Sequence, residues 1–132
     1  MIFYLSAKIV DVETAFLYGD LEEEIIMDCP PGMFDAKPNE ALLLGRCIYG
    51  LVQASRKYHK KMTDILQGIG FVGGIIDLCL FVRKSLADIV YIALYVDDNL
   101  MIGNPKAIDE VISFLRKNNL VLKIQDKLTE YI

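Results

Sequence analysis

The chain has 132 residues, 14 Lys+Arg against 18 Asp+Glu for a formal net charge of -4, 54% hydrophobic residues, three cysteines and one histidine. A chain of this size makes one domain, 1–132, and can bury roughly two-thirds of the surface it exposes when unfolded, so disordered and collagen-like classes are excluded. Cys29, Cys47 and Cys79 are odd in number and lack a C-x-x-C spacing, which argues against a disulfide framework or a zinc cage and points to a reducing compartment.

In chain order, Lys8 to Val12 reads as a strand entering from Ile2 to Leu5, with Asp11 near its end and a short helical segment from Glu13 to Tyr18 stopped by Gly19-Asp20. Glu24 to Asp28 suggests a short strand, and Cys29-Pro30-Pro31-Gly32 opens a surface connection reaching residue 41. Leu42 to Leu44 leads into an amphipathic stretch with apolar residues at Leu51, Ala54, Tyr58, Met62, Ile65, Leu66 and Ile69. These spacings of mostly three and four predict a helix ended by Gly68 and Gly70. Ile75 to Val82 and Ile89 to Val96 read as paired strands. The second runs into Asp97-Asp98-Asn99 and then Leu100-Met101-Ile102, the pattern of a hairpin with acids at its tip. Asn104-Pro105 is a cap and first-turn proline for a helix with Ile108, Val111, Ile112 and Leu115 on one face, and Leu120 to Ile124 is a last strand. The order predicts an α+β fold, an antiparallel sheet backed by two helices.

Ile89 to Val96 is the longest uninterrupted apolar run, too short for a membrane span, and the N-terminus lacks a signal-peptide pattern, so a cytoplasmic or nuclear location without membrane contact is expected. A mean hydropathy of +0.36 suggests that part of the surface is covered by a neighbour, as in a fragment.

Charge is segregated: from Asp11 to Glu40 every charge but Lys37 is acidic, and from Arg46 to Lys61 every charge is basic. Arg56/Lys60 and Lys57/Lys61 stand four apart, so on a helix they make two adjacent basic rows, either a solvated face or a surface for a phosphate backbone. His59 has no second histidine to complete a metal site and reads as a surface helix residue.

Asp97 and Asp98 stand in an apolar hairpin, where a carboxylate is costly unless it reaches water or a cation. If the Asp11 strand lies beside that hairpin, three carboxylates converge on one sheet edge, a hard-oxygen set suited to Mg2+ and to phosphoryl transfer with two ions. Spacing alone leaves open that they are turn and surface residues.

The residues around them carry a resemblance. Asp11-Val12-Glu13-Thr14-Ala15-Phe16-Leu17-Tyr18-Gly19-Asp20-Leu21-Glu22-Glu23-Glu24-Ile25, then Ile48-Tyr49-Gly50-Leu51-Val52-Gln53-Ala54, then Leu94-Tyr95-Val96-Asp97-Asp98 resemble, in this order, the reverse transcriptase of copia-type long-terminal-repeat retrotransposons. The likeness continues through Gly70-Phe71, Asp77-Leu78-Cys79-Leu80-Phe81 and Ile102-Gly103 and so covers nearly the whole chain. It implies a palm-like antiparallel sheet backed by helices, with incomplete fingers and no thumb. It also implies RNA-directed DNA polymerase chemistry, adding deoxynucleotides to a primer 3' hydroxyl on an RNA or DNA template.

In that pattern Asp11, Asp97 and Asp98 are the catalytic and metal-binding acids for two Mg2+ ions, with Mn2+ as a substitute. Phe16 matches the bulky position that excludes a ribose 2'-OH, or else simply packs. Tyr49, Gly50 and Gln53 resemble the stretch against the templating base and incoming nucleotide. Arg56, Lys57, Lys60 and Lys61 gain a use as nucleic-acid contacts. The implied partners are the primed template, deoxynucleotides, and the thumb, ribonuclease H and integrase segments of a polyprotein in a cytoplasmic virus-like particle or the nucleus. Val52 stands where the family usually has lysine, Ser55 where it commonly has proline and Tyr58 where it commonly has tryptophan. With little fingers sequence before Asp11 and none of the later segments after Ile132, the isolated chain is expected to be weakly active or inactive. The rival reading is an inactive retroelement remnant kept as a structural or nucleic-acid-binding module.

Overall fold

A computed structural model describes residues 5–33, 37, 39–86 and 88–125. Its elements are β1 (Ser6–Val12), a 3-10 turn (Ala15–Tyr18), β2 (Ile26–Asp28), β3 (Ala41–Leu43), α1 (Ala54–Gln67), β4 (Val72–Gly73), β5 (Leu80–Lys84), β6 (Ile89–Tyr95), β7 (Asp98–Gly103), α2 (Pro105–Lys117) and β8 (Leu122–Gln125). Six strands form one sheet in the order β4-β5-β6-β7-β1-β8, and β2 pairs with β3 in a separate two-stranded ribbon. Every pairing is antiparallel. The chain is thus mixed α and β with an antiparallel sheet and two helices, as the order of elements predicts.

Strand alternation decides which face each residue takes, because successive side chains point to opposite sides. Val10 and Val12 of β1, Val90, Ile92 and Leu94 of β6, and Met101 of β7 are buried, as are Tyr58, Met62 and Leu66 of α1 and Ile108, Val111, Ile112 and Leu115 of α2. All of them belong to one apolar cluster, so both helices cover the same side of the sheet. Burying each large apolar side chain contributes about 1.5–3 kcal/mol, which makes this layer the main source of stability. The intervening residues Asp11, Tyr91, Tyr95, Asp98, Leu100 and Ile102 take the opposite, more open side.

Local chemistry sets the helix limits. The Asn104 side chain accepts from the Lys106 N–H at 3.0 Å and Pro105 occupies the first turn, while Arg116 and Lys117 lie in the last turn where they complement the helix dipole. α1 starts at Ala54, since Leu51 and Val52 belong to the preceding turn, and Val52 is fully exposed. Gly70, with φ +85, turns the chain into β4.

Two expectations are corrected. Ile75 to Cys79 is not strand: the Gly74 N–H donates to Leu80 O at the start of β5 and closes a loop over 75–79, in which Ile75 and Ile76 are wholly exposed. The apolar run reads as a strand only because periodicity cannot separate a buried strand from an exposed loop of similar composition. The hairpin turn also lies one step earlier than Asp97-Asp98-Asn99. Tyr95 pairs with Asp98, so Val96 and Asp97 form the turn and Asp98 and Asn99 begin β7. The expected strand entry at Ile2 to Tyr4, part of the 30–41 connection and the chain beyond Gln125 lie outside the described residues.

Candidate active site

β1 lies beside β7, and their register puts Asp11 directly opposite Asp98. Opposed residues of an antiparallel pair share a face with Cβ atoms about 4.5–5.5 Å apart, and like charges there repel. The Val12 N–H donates to Asp97 O at 2.8 Å and holds the turn against the end of β1. Residues from opposite ends of the chain are thereby brought to one place.

The turn is strained. Val96 has φ +49, left-handed backbone that costs an L side chain about 1–2 kcal/mol, and a β-branched residue there is a true outlier. Asn99 supports it from beneath. This is the one buried polar residue among the described residues, 1% exposed, and its side-chain amide donates to Val10 O and to Asp97 O, both at 3.2 Å. Its Oδ1 and the buried Tyr58 hydroxyl make no hydrogen bond. Burial is the main reason the Tyr58 phenol is pushed far above its ordinary value, so it stays protonated. Sequence reasoning assigned Asn99 to the turn and missed this support. The signal was present as alternation: Asn99, Met101 and Gly103 are the inward members of β7.

Tyr49 reaches the acids from the turn ahead of α1. Its hydroxyl donates to the Asp97 carboxylate, 3.0 Å from Oδ2 and 3.3 Å from Oδ1. Burial, then the hydrogen bond and charge of Asp97, raise the Tyr49 phenol, with Asp11 adding to the effect. The ring packs on Phe16 at 4.5 Å between centroids, and Phe16 in turn meets the edge of Tyr58 at 6.4 Å. Phe16 is therefore both half-buried packing and one wall of the site. Gly50, at φ +97, makes the turn that presents Tyr49, with open space beside it.

On the other side of β1, Lys123 of β8 lies opposite Asp11 and pairs with Glu13 at 2.9 Å. The bond and charge of Glu13 raise the ammonium, outweighing its slight desolvation, and Asp11 contributes. Asp11 is thus flanked by a carboxylate on one strand and a cation on the other.

The basic rows of α1 are engaged within the chain. Lys57 bridges Glu22 at 3.3 Å and Glu23 at 3.4 Å, Lys60 pairs with Glu22 at 3.4 Å, and Lys61 pairs with Asp20 at 3.0 Å. Arg46 also meets Asp20, at 2.8 Å, and Gln53 donates to Glu23 at 3.1 Å. The Lys61 hydrogen bond leads in holding Asp20 low, Lys57 and then Lys60 do so for Glu22, and Gln53 for Glu23. Slight burial pulls the Lys57 ammonium down, but Glu22 and Glu23 together leave it raised. Arg56 is exposed and forms no ion pair among the described residues. So the structure sets Asp11 opposite Asp98, joins Asp97 to Tyr49 and Tyr49, ahead of Gly50, to Phe16, and ties Gln53, Lys57, Lys60 and Lys61 to the acidic 20–23 segment.

Among the described residues, no group of three or more His, Cys, Asp and Glu side chains is arranged to hold a metal ion. The donor chemistry still fits a hard divalent cation, because Asp11 and Asp98 are like charges forced opposite one another and a cation between them would remove the repulsion. No described helix is long and apolar enough to cross a membrane.

Residues 6–132 match the family described as reverse transcriptase (RNA-dependent DNA polymerase). The chain is 42% identical over 96 residues to the retrovirus-related Pol polyprotein from transposon RE1 of Arabidopsis thaliana, 72% of this chain and 6% of that protein. It is 36% identical over 106 residues to the Pol polyprotein from transposon TNT 1-94 of Nicotiana tabacum, 79% of this chain and 8% of that protein. With the putative transposon Ty5-1 protein YCL074W of Saccharomyces cerevisiae it shares 34% over 110 residues, 82% of this chain and 36% of that protein. The chain thus spans a small part of the relatives it matches, and no solved structure gives a significant match. The copia-type resemblance is borne out, and the chain belongs to the reverse transcriptase (RNA-dependent DNA polymerase) family.

Proposed function

We propose that this chain is the palm-centred portion of a copia-type reverse transcriptase, in which Asp11, Asp97 and Asp98 hold two Mg2+ ions for template-directed DNA synthesis. The observation that carries the reading is the β1–β7 register, which sets Asp11 against Asp98 at the end of the strained turn that bears Asp97. Bound divalent ions supply charge neutralisation at the transferring phosphoryl group and acidify the attacking 3' hydroxyl. The protein's own part is positioning. Asn99 fixes the backbone of Asp97 from the core side, so its carboxylate is delivered outward without a folding step at the moment of reaction.

Phe16 and Tyr49 form an aromatic corner beside the acids. In this reading Phe16 lies under the deoxyribose and excludes a 2'-OH by bulk, while Gly50 allows the template-base side to approach the backbone closely. Arg56 is the residue of the basic row with a charge available to phosphate. Lys57, Lys60 and Lys61 serve nucleic acid only if it displaces the acids at 20–23. The remaining polyprotein segments would supply grip on the duplex. A retroelement remnant without catalysis is the alternative, favoured at one point by Val52, whose apolar side chain stands bare to solvent where the family usually has lysine.

Primer extension on an RNA template with Mg2+ or Mn2+ tests the reading. Weak deoxynucleotide incorporation, abolished by Asp97→Asn with Asp98→Asn, is expected. No incorporation by the chain, alone or with its flanking polyprotein segments restored, would favour the remnant.

A further inference from the structure

The Asp97 carboxylate is not open. The Tyr49 hydroxyl lies between its two oxygens, 3.0 Å from one and 3.3 Å from the other, so it caps the carboxylate end-on. An oxygen that accepts a charge-assisted hydrogen bond gives up lone-pair density that a cation needs. Tyr49 is also built to move. It is 51% exposed, it is followed by Gly50 at φ +97, and the buried Cys47 two residues earlier anchors the segment, with its N–H bonded to Gly19 O at 3.2 Å. Its other main contact is the Phe16 ring, so any rotation that frees Asp97 also uncovers the face of Phe16.

We propose that Tyr49 is a latch: its hydroxyl engages Asp97 and must be displaced before a divalent cation binds there, and the same movement opens the Phe16 face to a nucleotide sugar. This rests on the acids being the metal site, and it adds a positioning residue that sets how readily the site loads. Cation and nucleotide then favour each other through a shared displacement, since whichever moves Tyr49 first removes that cost for the other. A cation that arrives already bound to a nucleotide triphosphate meets both requirements at once.

The test is a Mn2+ titration of the whole chain, read by the loss of the free-ion electron paramagnetic resonance signal. Tyr49→Phe keeps the ring on Phe16 and removes only the hydroxyl. A hydrogen bond to a charged group is worth enough that its removal is expected to tighten Mn2+ binding about tenfold. Asp97→Asn should weaken binding, and adding Tyr49→Phe to it should then give no gain. Tyr49→Leu, which lacks both ring and hydroxyl, should tighten binding as Tyr49→Phe does. Equal Mn2+ affinity for wild type and Tyr49→Phe, with Asp97→Asn still weakened, would overturn the latch and leave the metal site standing. A gain that persists in the Asp97→Asn background would overturn it as well, because the effect would not run through that carboxylate. If none of the proteins bound Mn2+, the latch and the acid-site reading would fall together.

Discussion

Asn99 holds Asp97 by its backbone: one side-chain amide, closed off from solvent in the sheet interior, donates both to Asp97 O and to Val10 O of the neighbouring strand. The acid that faces outward is thus fixed by a residue that faces inward. Replacing Asn99 by Ala takes one donor from each carbonyl, Asp97 O keeping the Val12 N–H, and opens a small void in the sheet interior. A loss of about 1–3 kcal/mol in denaturant unfolding is expected, on the scale of two hydrogen bonds removed. Asn99→Asp should cost more, because it places an unpaired carboxylate in the same closed space.

Gly103 closes β7 where the backbone of β6 comes near. A Cβ there would meet Ile89 O at 2.6 Å and Val90 Cα at 3.0 Å, both main-chain atoms that cannot swing away. Gly103→Ala is expected to cost about 1–3 kcal/mol by forcing the two strands apart. Gly45→Ala, with nothing within 4 Å of the added carbon, should lie within about 0.5 kcal/mol of wild type. Urea unfolding of the two variants side by side makes the comparison.

Acid should loosen the contact between the 20–23 segment and α1. Asp20, Glu22 and Glu23 all titrate below their ordinary values because Lys61, Lys57, Lys60 and Gln53 bind their charged forms. A carboxyl lowered in the folded state contributes stability that is complete above its ordinary value, 3.8 for Asp and 4.5 for Glu, and is lost as pH falls through the folded value. Amide hydrogen exchange across residues 20–24 is therefore expected to quicken, after correction for intrinsic rate, as pH drops below that range. Lys57→Met should raise exchange at neutral pH and flatten the response. A segment equally protected in acid would show that the pairs do not hold it.

Much of this arrangement is legible in the residues themselves. The Asn104-Pro105 cap, the helical repeats of α1 and α2 and the β6–β7 hairpin follow from local rules that the core then reinforces. The turn position was not legible, because Asp-Asp-Asn suits left-handed backbone better than Val96, and only cross-strand register and the buried Asn99 make Val96 take it. The exposed Ile75-Ile76 pair misleads for a related reason: hydropathy reports what a residue prefers, and not whether the fold has covered it. At the site, the family pattern brought out the acids, Phe16 and Tyr49. The engagement of Lys57, Lys60 and Lys61 by acids some forty residues earlier is a tertiary fact that charge segregation only hinted at.

β1 sits between β7 and β8, yet it is made long before either. During synthesis residues 6–12 leave the ribosome with both hydrogen-bonding edges open and wait for the chain to reach residue 98 before the first partner exists. The long loop that must close before these pairings form makes them slow compared with the helices. Asp11 is for that interval a carboxylate on an unpaired strand, without the opposed Asp98 or Lys123. Asp11 and Asp98 meet only after residue 98 has emerged, so a product cut short before it lacks this pair.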